Sequence, residues 1–266
     1  MSRLDDRLQA LRAGNRKALV PFLTAGDPSL AATVPAMHAL VRAGADLIEL
    51  GVPFSDPMAD GPVIQRASER AIERGAGLKF ALECVRSFRE RDAATPVVLM
   101  GYLNPVEIRG AQAFAEQAAA AGVDGVLLVD LPPDEAADYR AAFAAHGVAL
   151  ILLAAPTTPA ERQAQLCALA QGYLYYVSFA GVTGASHLDV QAAGERLRAL
   201  RAQSPVPVYA GFGIRDAASA AAMASNADGV VVGSALVQAM ADAASAEDAA
   251  DRAAGFLGPL RQALDA

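Results

Sequence analysis

An alternation of short apolar runs with helix-like stretches is the feature that most constrains the fold of this chain. Each run has the length and composition of a buried parallel strand and is followed by residues with helical spacing. The eight runs start near Leu19, Asp46, Val97, Gly125, Val148, Leu174, Val206 and Gly229. Eight such units close a barrel more naturally than they extend an open sheet, and 266 residues suit one barrel. We predict an α/β fold, a (β/α)8 TIM barrel forming a single domain over residues 1–266.

A doubly wound open sheet is the alternative architecture. It is disfavoured because no Gly-x-Gly-x-x-Gly follows the first strand, where Phe22–Asp27 form a different turn. The spacing of Arg3–Ala13 predicts an extra N-terminal helix that plugs the bottom of the barrel. Three units end alike, with a small residue and an Asp before the next strand, which predicts a left-handed residue that terminates each helix. These segments are Ala43-Gly44-Ala45-Asp46, Ala121-Gly122-Val123-Asp124 and Asn226-Ala227-Asp228-Gly229.

Composition narrows the choice of partner and compartment. The net charge is −7 and the basic residues are scattered, which argues against nucleic acid or an anionic membrane as the main partner. No apolar stretch reaches the roughly 18 residues of a membrane span. Cys84 and Cys167 fall in predicted helices without metal-ligand spacing, so we expect reduced, structural thiols in a cytoplasmic protein.

Two acids, Glu49 and Asp60, stand out around the second predicted strand. Glu49 interrupts the apolar run Leu47–Gly51, where a carboxylate is costly unless it is paired, hydrogen-bonded or protonated. Asp60 lies in the proline-rich loop that follows, so both acids should face the mouth at the C-terminal ends of the strands. We predict catalytic roles for both. The structural alternatives are an ion pair between Glu49 and an arginine, and a helix cap by Asp60 before Pro62.

Glycines follow the last three predicted strands. Backbone N–H groups can approach a ligand closely at such loops, and a short helix starting after the eighth strand adds partial positive charge. Together the loops predict a phosphate-binding cup, although tight turns alone would also explain the glycines. The segments are Gly181-Val182-Thr183-Gly184, Gly211-Phe212-Gly213 and Gly233-Ser234.

Other catalytic chemistries find little support in the sequence. Lys17 precedes the first strand and Lys79 starts a helix, so neither is placed to form a Schiff base in the mouth. His38, His146 and His187 are scattered over a helix, a helix end and a loop, and we expect no metal site. Proton transfer here would therefore rest on carboxylates.

At this point the chain resembles a known family over nearly its whole length. The segment Leu47–Gln65 looks like the signature of the tryptophan synthase alpha chain family. Further blocks match that family in the same order: Pro21–Pro28, Gly101–Pro105, Tyr175–Ser178, Gly181–Gly184, Gly211–Ile214 and Gly233–Ala235.

The resemblance implies retro-aldol cleavage of indole-3-glycerol phosphate into indole and glyceraldehyde 3-phosphate. It assigns Glu49 as the acid and base at indole C3 and the glycerol hydroxyl, and Asp60 as the acceptor for the indole N–H. Gly184, Gly213, Gly233 and Ser234 would bind the substrate phosphate. Phe22, Tyr175, Thr183, Gly211 and Phe212 would line the pocket, with Met100, Leu127, Ile151 and Val231 as further apolar walls. Core packing explains the six apolar side chains equally well, and the alternative for Tyr175 is an aromatic residue that only lines the barrel.

The family resemblance also implies a partner and moving loops. A beta chain carrying pyridoxal phosphate would consume the indole in an allosteric α2β2 heterotetramer, and this chain would hold no cofactor. The loop Pro53–Asp60 with Asn104, Pro105 and Pro132 would contact that partner. This loop and Phe179–Ser186 would close over substrate, although Phe179-Ala180 departs from a more polar or basic pair in some relatives. Two rival functions remain: another phosphate-binding barrel isomerase, and a non-catalytic regulatory subunit that binds the phosphate ligand.

Overall fold

Eight parallel strands close a barrel in this computed structural model, which describes residues 2–177, 190–211 and 213–266. Each strand pairs with the next along the chain, and β8 pairs with β1 through the register Ala18↔Gly229. The barrel prediction is confirmed, and the strands begin within two residues of the predicted starts. The strands are β1 Ala18–Thr24, β2 Ile48–Gly51, β3 Val97–Gly101, β4 Gly125–Leu128, β5 Ala149–Ala154, β6 Leu174–Val177, β7 Val208–Gly211 and β8 Gly229–Val232.

Helices cover the outside of the barrel. They are α1 Arg3–Ala13, α2 Thr33–Arg42, α3 Pro62–Glu73, α4 Leu78–Arg89, α5 Asn104–Glu107, α6 Ala111–Ala121, α7 Ala136–Ala144, α8 Ala160–Leu169, α9 Val190–Gln203, α10 Ala217–Ala224, α11 Ser234–Met240 and α12 Ala246–Asp265. Cys84 and Cys167 lie in α4 and α8 as predicted, both buried and unbridged. Among the helices of the described ranges, none has the length and apolar character needed to span a membrane.

The extra N-terminal helix α1 closes the bottom of the barrel. Ser2 caps it reciprocally with Asp5, which satisfies N–H groups at the helix start. Leu4, Leu8 and Leu11 recur at helical spacing and pack into the barrel interior. The predicted plug is therefore confirmed.

Side chains point alternately to the two faces of each strand, so that one set fills the barrel interior and the other packs beneath the helices. In β2 and the residue before it, Leu47 packs into the interior, whereas Ile48 and Leu50 pack outward against the helices. Because side chains alternate along a strand, Glu49 shares the inward face with Leu47. The residue pattern alone therefore directs a carboxylate into the centre of the barrel.

The bottom rim carries a feature that repeats in each successive pair of strands. A side-chain oxygen just before the even-numbered strand accepts a hydrogen bond from a backbone N–H near the start of the odd-numbered strand beside it. We call this rim the floor. Its hydrogen bonds join Asp46 to Leu19 (2.9 Å), Asp124 to Val97 (2.8 Å), Gln171 to Leu150 (3.1 Å) and Asp228 to Val208 (2.9 Å).

Arginines neutralise the floor carboxylates. Arg89 contacts Asp124 at 2.6 Å and Arg201 contacts Asp228 at 2.6 Å. The recurrent Asp noted in the sequence thus links two neighbouring strands through a hydrogen bond, a contact that we call a clamp. The predicted left-handed residue occurs at Gly44 and Gly122 but not in the third segment, where α10 ends with Ser225 in the right-handed region, so that part of the prediction is wrong. There Asp228 makes the same clamp without a glycine turn.

Candidate active site

Glu49 lies inside the barrel, in β2, two residues before the strand ends. Its register partners are Phe22 on β1 and Val98 on β3. The side chain is fully buried, and Oε1 accepts a hydrogen bond from the hydroxyl of Tyr173 at 2.5 Å. Oε2 is also buried and has no hydrogen-bond partner among the described residues. The ion pair with an arginine, considered from the sequence, is absent from the described part of the chain.

Burial dominates the electrostatics of Glu49. Loss of water raises the pKa of Glu49 to about 7, and the Tyr173 hydroxyl opposes this shift because it stabilises the carboxylate. A carboxyl group with a pKa near neutrality can both give and take a proton at physiological pH. Glu49 therefore has one oxygen held by Tyr173 and one buried oxygen that has no hydrogen-bond partner among the described residues.

Asp60 lies in the loop between β2 and α3, beside the hydroxyl of Tyr102. The hydroxyl donates to Asp60 Oδ2 at 2.9 Å and accepts from the backbone N–H of Ala59 at 3.0 Å. Burial raises the pKa of Asp60, and the Tyr102 hydroxyl opposes the shift. The helix-cap alternative for Asp60 is wrong, because α3 begins at Pro62 after Gly61 and has no side-chain cap.

Several contacts hold the loop that carries Asp60. The ring of Phe54 stacks on Tyr102 with 5.0 Å between ring centroids. The Gln65 side-chain amide donates to the Asp60 backbone carbonyl at 2.9 Å. On the neighbouring β1 loop, Asp27 forms a bidentate pair with Arg70 of α3 at 2.8 and 2.9 Å. Tyr102, just after β3, and Gln65 of α3 thus both hold Asp60 by hydrogen bonds.

Tyr175 and Gly211, both predicted for the pocket, lie against each other. Tyr175 is 7% exposed and packs inside the barrel. A Cβ atom on residue 211 would overlap the Tyr175 hydroxyl and ring, so Gly211 leaves the space that this tyrosine occupies. The structure therefore brings these two predicted residues together at the ends of β6 and β7.

The predicted apolar walls separate into two groups. Phe22 and Met100 line a narrow cavity of about 10 Å³ together with Asp60, Ile64 and Tyr102. Leu127, Ile151 and Val231 instead pack in the barrel interior with the tyrosines. A cavity of that size holds about one water molecule, so an aromatic ligand would require Phe22 or Met100 to move.

The structure describes only some residues of the predicted phosphate-binding cup. Gly213 has a φ of +73°, a backbone conformation that favours glycine. Gly233 precedes α11, Ser234 is its first residue, and a Cβ atom on residue 233 would lie 3.5 Å from Phe22. The start of the loop after β8 therefore lies beside Phe22. Thr183, Gly184 and Phe212, the loop Phe179–Ser186 and His187 lie outside the described residues.

Sequence reasoning missed two tyrosines that contact the acids. Tyr173 comes just before β6 and Tyr102 just after β3. The two-residue repeat of side-chain direction along β6 could have revealed Tyr173. Tyr173 and Tyr175 share the inward face, while Leu174 and Tyr176 pack outward. Tyr102 carried a positional signal, since a polar residue at the end of a barrel strand faces the mouth.

Comparison with known sequences gives a consistent result. A family model described as "Tryptophan synthase alpha chain" matches residues 8–265. The tryptophan synthase alpha chain of Xylella fastidiosa (strain M12) is 69% identical over 266 residues, which cover 100% of this chain and 99% of that protein. The corresponding chain of Xanthomonas euvesicatoria pv. vesicatoria is 70% identical with the same coverage.

Solved structures agree with the sequence matches. The tryptophan synthase subunit alpha of Legionella pneumophila str. Paris superposes with a TM-score of 0.93 at 47% identity, covering 100% of this chain and 99% of that one. A Mycobacterium tuberculosis tryptophan synthase structure gives a TM-score of 0.88 at 41% identity, covering 99% of this chain and 98% of that one. The likeness therefore extends over the whole barrel.

Proposed function

This chain belongs to the tryptophan synthase alpha chain family, and from that membership we propose how its residues carry out the reaction. The chain is a lyase that cleaves indole-3-glycerol phosphate into indole and glyceraldehyde 3-phosphate, the alpha half-reaction of L-tryptophan synthesis. The observation that supports our assignment best is Glu49, fully buried in the barrel, with one oxygen bonded to Tyr173 and the other oxygen unpartnered among the described residues.

Glu49 moves the two protons of the reaction. Protonation of C3 turns the electron-rich indole into an indolenine cation, whose positive nitrogen accepts the electron pair of the breaking carbon–carbon bond. Loss of the proton from the adjacent glycerol hydroxyl forms the aldehyde carbonyl. The reaction therefore needs one proton delivered and one removed, and a carboxyl group with a pKa of about 7 suits both transfers.

Asp60 accepts the indole N–H and stabilises the cation. Its carboxylate is half-buried, where a charge acts more strongly than in water, and the Tyr102 hydroxyl holds it in position. Phe22, Met100, Tyr175 and Gly211, with Phe212, enclose the ring, and Thr183 completes the pocket. Gly213, Gly233 and Ser234, with Gly184, bind the phosphate through backbone N–H groups and the start of α11.

The chain pairs with a tryptophan synthase beta chain. We assign the contact to the loop Pro53–Asp60 with Asn104, Pro105 and Pro132, in an α2β2 assembly. Exposed apolar side chains near these residues support the assignment, because Met58 is 83% and Ile108 77% exposed. Pyridoxal phosphate belongs to the beta chain in this proposal, and this chain works without a cofactor.

We also propose that the chain works as a single barrel domain in the cytoplasm. The family model covers nearly its whole length, and the buried cysteines are unbridged. Closure of Pro53–Asp60 and Phe179–Ser186 over substrate remains part of the proposal, because the narrow cavity beside Asp60 requires rearrangement before indole can enter.

Indole release from indole-3-glycerol phosphate tests the assignment. We would assay the purified chain alone and with an equimolar beta chain, and compare Asp60→Asn with the exposed control Asp134→Asn. We expect slow release that accelerates strongly with the partner, a rate about 10²- to 10³-fold lower for Asp60→Asn, and no change for the control. Substrate binding without indole from the wild-type chain in either condition would instead favour the non-catalytic regulatory subunit.

A further inference from the structure

A second cavity lies at the opposite end of the barrel from the mouth. It measures about 500 Å³ and opens between α1, the residues before β1, α9 and the start of β7. We call it the floor crevice. Its polar lining residues are Arg12, Asn15, Arg16, Lys17, Arg198, Arg201, Ser204 and Asp228.

The floor crevice has a charge opposite to that of the chain as a whole. The net charge of the protein is −7, yet five of the lining side chains are basic and only Asp228 is acidic. Like charges gathered around one cavity repel each other, and a bound anion relieves that repulsion. The crevice therefore has the electrostatic character of an anion site.

Three of the basic residues have partners in the protein. Arg16 contacts Asp46 at 2.7 Å and Asp265 at 3.1 Å, and Arg201 contacts Asp228 at 2.6 Å. The Lys17 ammonium donates to the carbonyl of Ala227 at 2.7 Å. These contacts fix the positions of the basic groups and leave some N–H donors of each for a ligand.

Arg12 and Arg198 differ from these three. Both are exposed, and neither has a carboxylate within 4.0 Å among the described residues. They belong to α1 and α9 and line the same crevice, so both guanidinium groups border the space that a ligand would occupy. Burial lowers the pKa of Lys17, the neighbouring Arg201 lowers it further, and Asp228 opposes the shift.

We propose that the floor crevice binds a compact anion with two or more negative charges, with Arg12 and Arg198 as its principal ligands and Lys17 at its base. Guanidinium groups bind phosphate and carboxylate oxygens through paired, charge-assisted hydrogen bonds. A volume of about 500 Å³ matches the size of small-molecule sites. The ligand is a phosphate ester or a polycarboxylate, which share this chemistry. This site does not depend on the proposed function of the mouth.

Calorimetric titration with inorganic pyrophosphate, and separately with citrate, tests the proposal. The crevice variant is Arg12→Gln with Arg198→Gln. The control is Arg162→Gln with Arg252→Gln, which removes the same charge from two arginines elsewhere on the surface. A third variant, Ser234→Asp, places a negative charge in the phosphate cup of the mouth. All titrations are made at an ionic strength of about 0.15 M, where weak surface attraction is screened.

We expect one of the two anions to bind the wild-type chain and the control, and to bind the crevice variant at least roughly tenfold more weakly. Ser234→Asp should retain this binding, and the crevice variant should still release indole at the wild-type rate. Preference for pyrophosphate would indicate a phosphate ester, and preference for citrate a polycarboxylate. Equal affinity in the crevice variant and the control, loss of binding in Ser234→Asp, or no binding to the wild-type chain would overturn the proposal.

Discussion

Buried and half-buried carboxylates at the two ends of this barrel have different partners. On the floor, Asp124 contacts Arg3 at 2.8 Å and Arg89 at 2.6 Å and accepts the N–H of Val97. At the mouth, Glu49 and Asp60 are hydrogen-bonded by tyrosine hydroxyls and have no cation within 4.0 Å among the described residues.

The difference separates the ion-paired carboxylates of the floor from the two acids to which we assign the chemistry. Removing one partner of a buried ion pair destabilises the fold because the other charge is left unpaired, whereas a buried carboxyl group without a cation destabilises the fold when it ionises. Asp27, which pairs with Arg70, shows that the mouth of the barrel can also hold a structural ion pair. Glu49 and Asp60 are thus distinguished by their partners rather than by burial alone.

The largest expected effect is on the rate of Glu49→Gln. The amide keeps the size of the side chain and can still accept from Tyr173, but it cannot transfer a proton. We expect cleavage of indole-3-glycerol phosphate to fall about 10³-fold, with substrate binding retained. Single-turnover indole formation, measured with a fluorescence titration of substrate, checks both parts. A rate within tenfold of the wild-type rate would remove Glu49 from the chemistry.

The next effect concerns stability at the floor. Asp124→Asn leaves the positive charge of Arg89 buried and uncompensated, since the Arg89 side chain is only 12% exposed. We expect a loss of about 2 to 4 kcal/mol in the free energy of unfolding, with kcat unchanged for the folded enzyme. Urea denaturation checks this. Asp134→Asn, which breaks an exposed pair with Arg162, is the control and should change stability by less than about 1 kcal/mol.

The smallest expected effect is a gain in the free energy of unfolding rather than a loss. The pKa of Glu49 is about 7 in the folded chain and near 4.5 when unfolded, so ionised Glu49 destabilises the fold fully above pH 7 and not below pH 4.5. Glu49→Gln should therefore stabilise the chain by about 1 to 3 kcal/mol at pH 8, and the gain should disappear as the pH falls toward 4.5. Urea midpoints across this pH range measure the difference. A gain in stability that does not vary with pH would indicate that altered packing, and not the ionisation of Glu49, causes it.

Local residue patterns predicted much of this structure. Apolar runs located the strands, and helical spacing located α1 at Arg3–Ala13. A carboxylate in an apolar strand marked Glu49, because a buried carboxylate is costly unless it is paired, hydrogen-bonded or protonated. The same reasoning singled out the Asp before three strands. The left-handed turn that it predicted occurs at Gly44 and Gly122, whereas the clamp that each Asp makes between strands was not predicted.

The partners of these acids could not be predicted in the same way. Arg261 reaches Asp46 across 215 positions of the chain, and Tyr173 reaches Glu49 across 124. Such contacts depend on which strands become neighbours and on the stagger between them, which no local pattern contains. The sequence singled out Tyr175 because of its position near the strand end. The hydrogen bond to Glu49 comes instead from Tyr173, two residues earlier on the same inward face.

The ionisation of Glu49 is the most direct test of this account. Infrared difference spectra between the wild-type chain and Glu49→Gln, recorded against pH, isolate its carboxyl band. We predict a midpoint near pH 7, which moves higher in Tyr173→Phe because that variant loses the hydrogen bond that stabilises the carboxylate. A midpoint at or below about pH 4.5, the value of an ordinary solvated Glu, would contradict the claim that an unpaired buried acid performs the proton transfers.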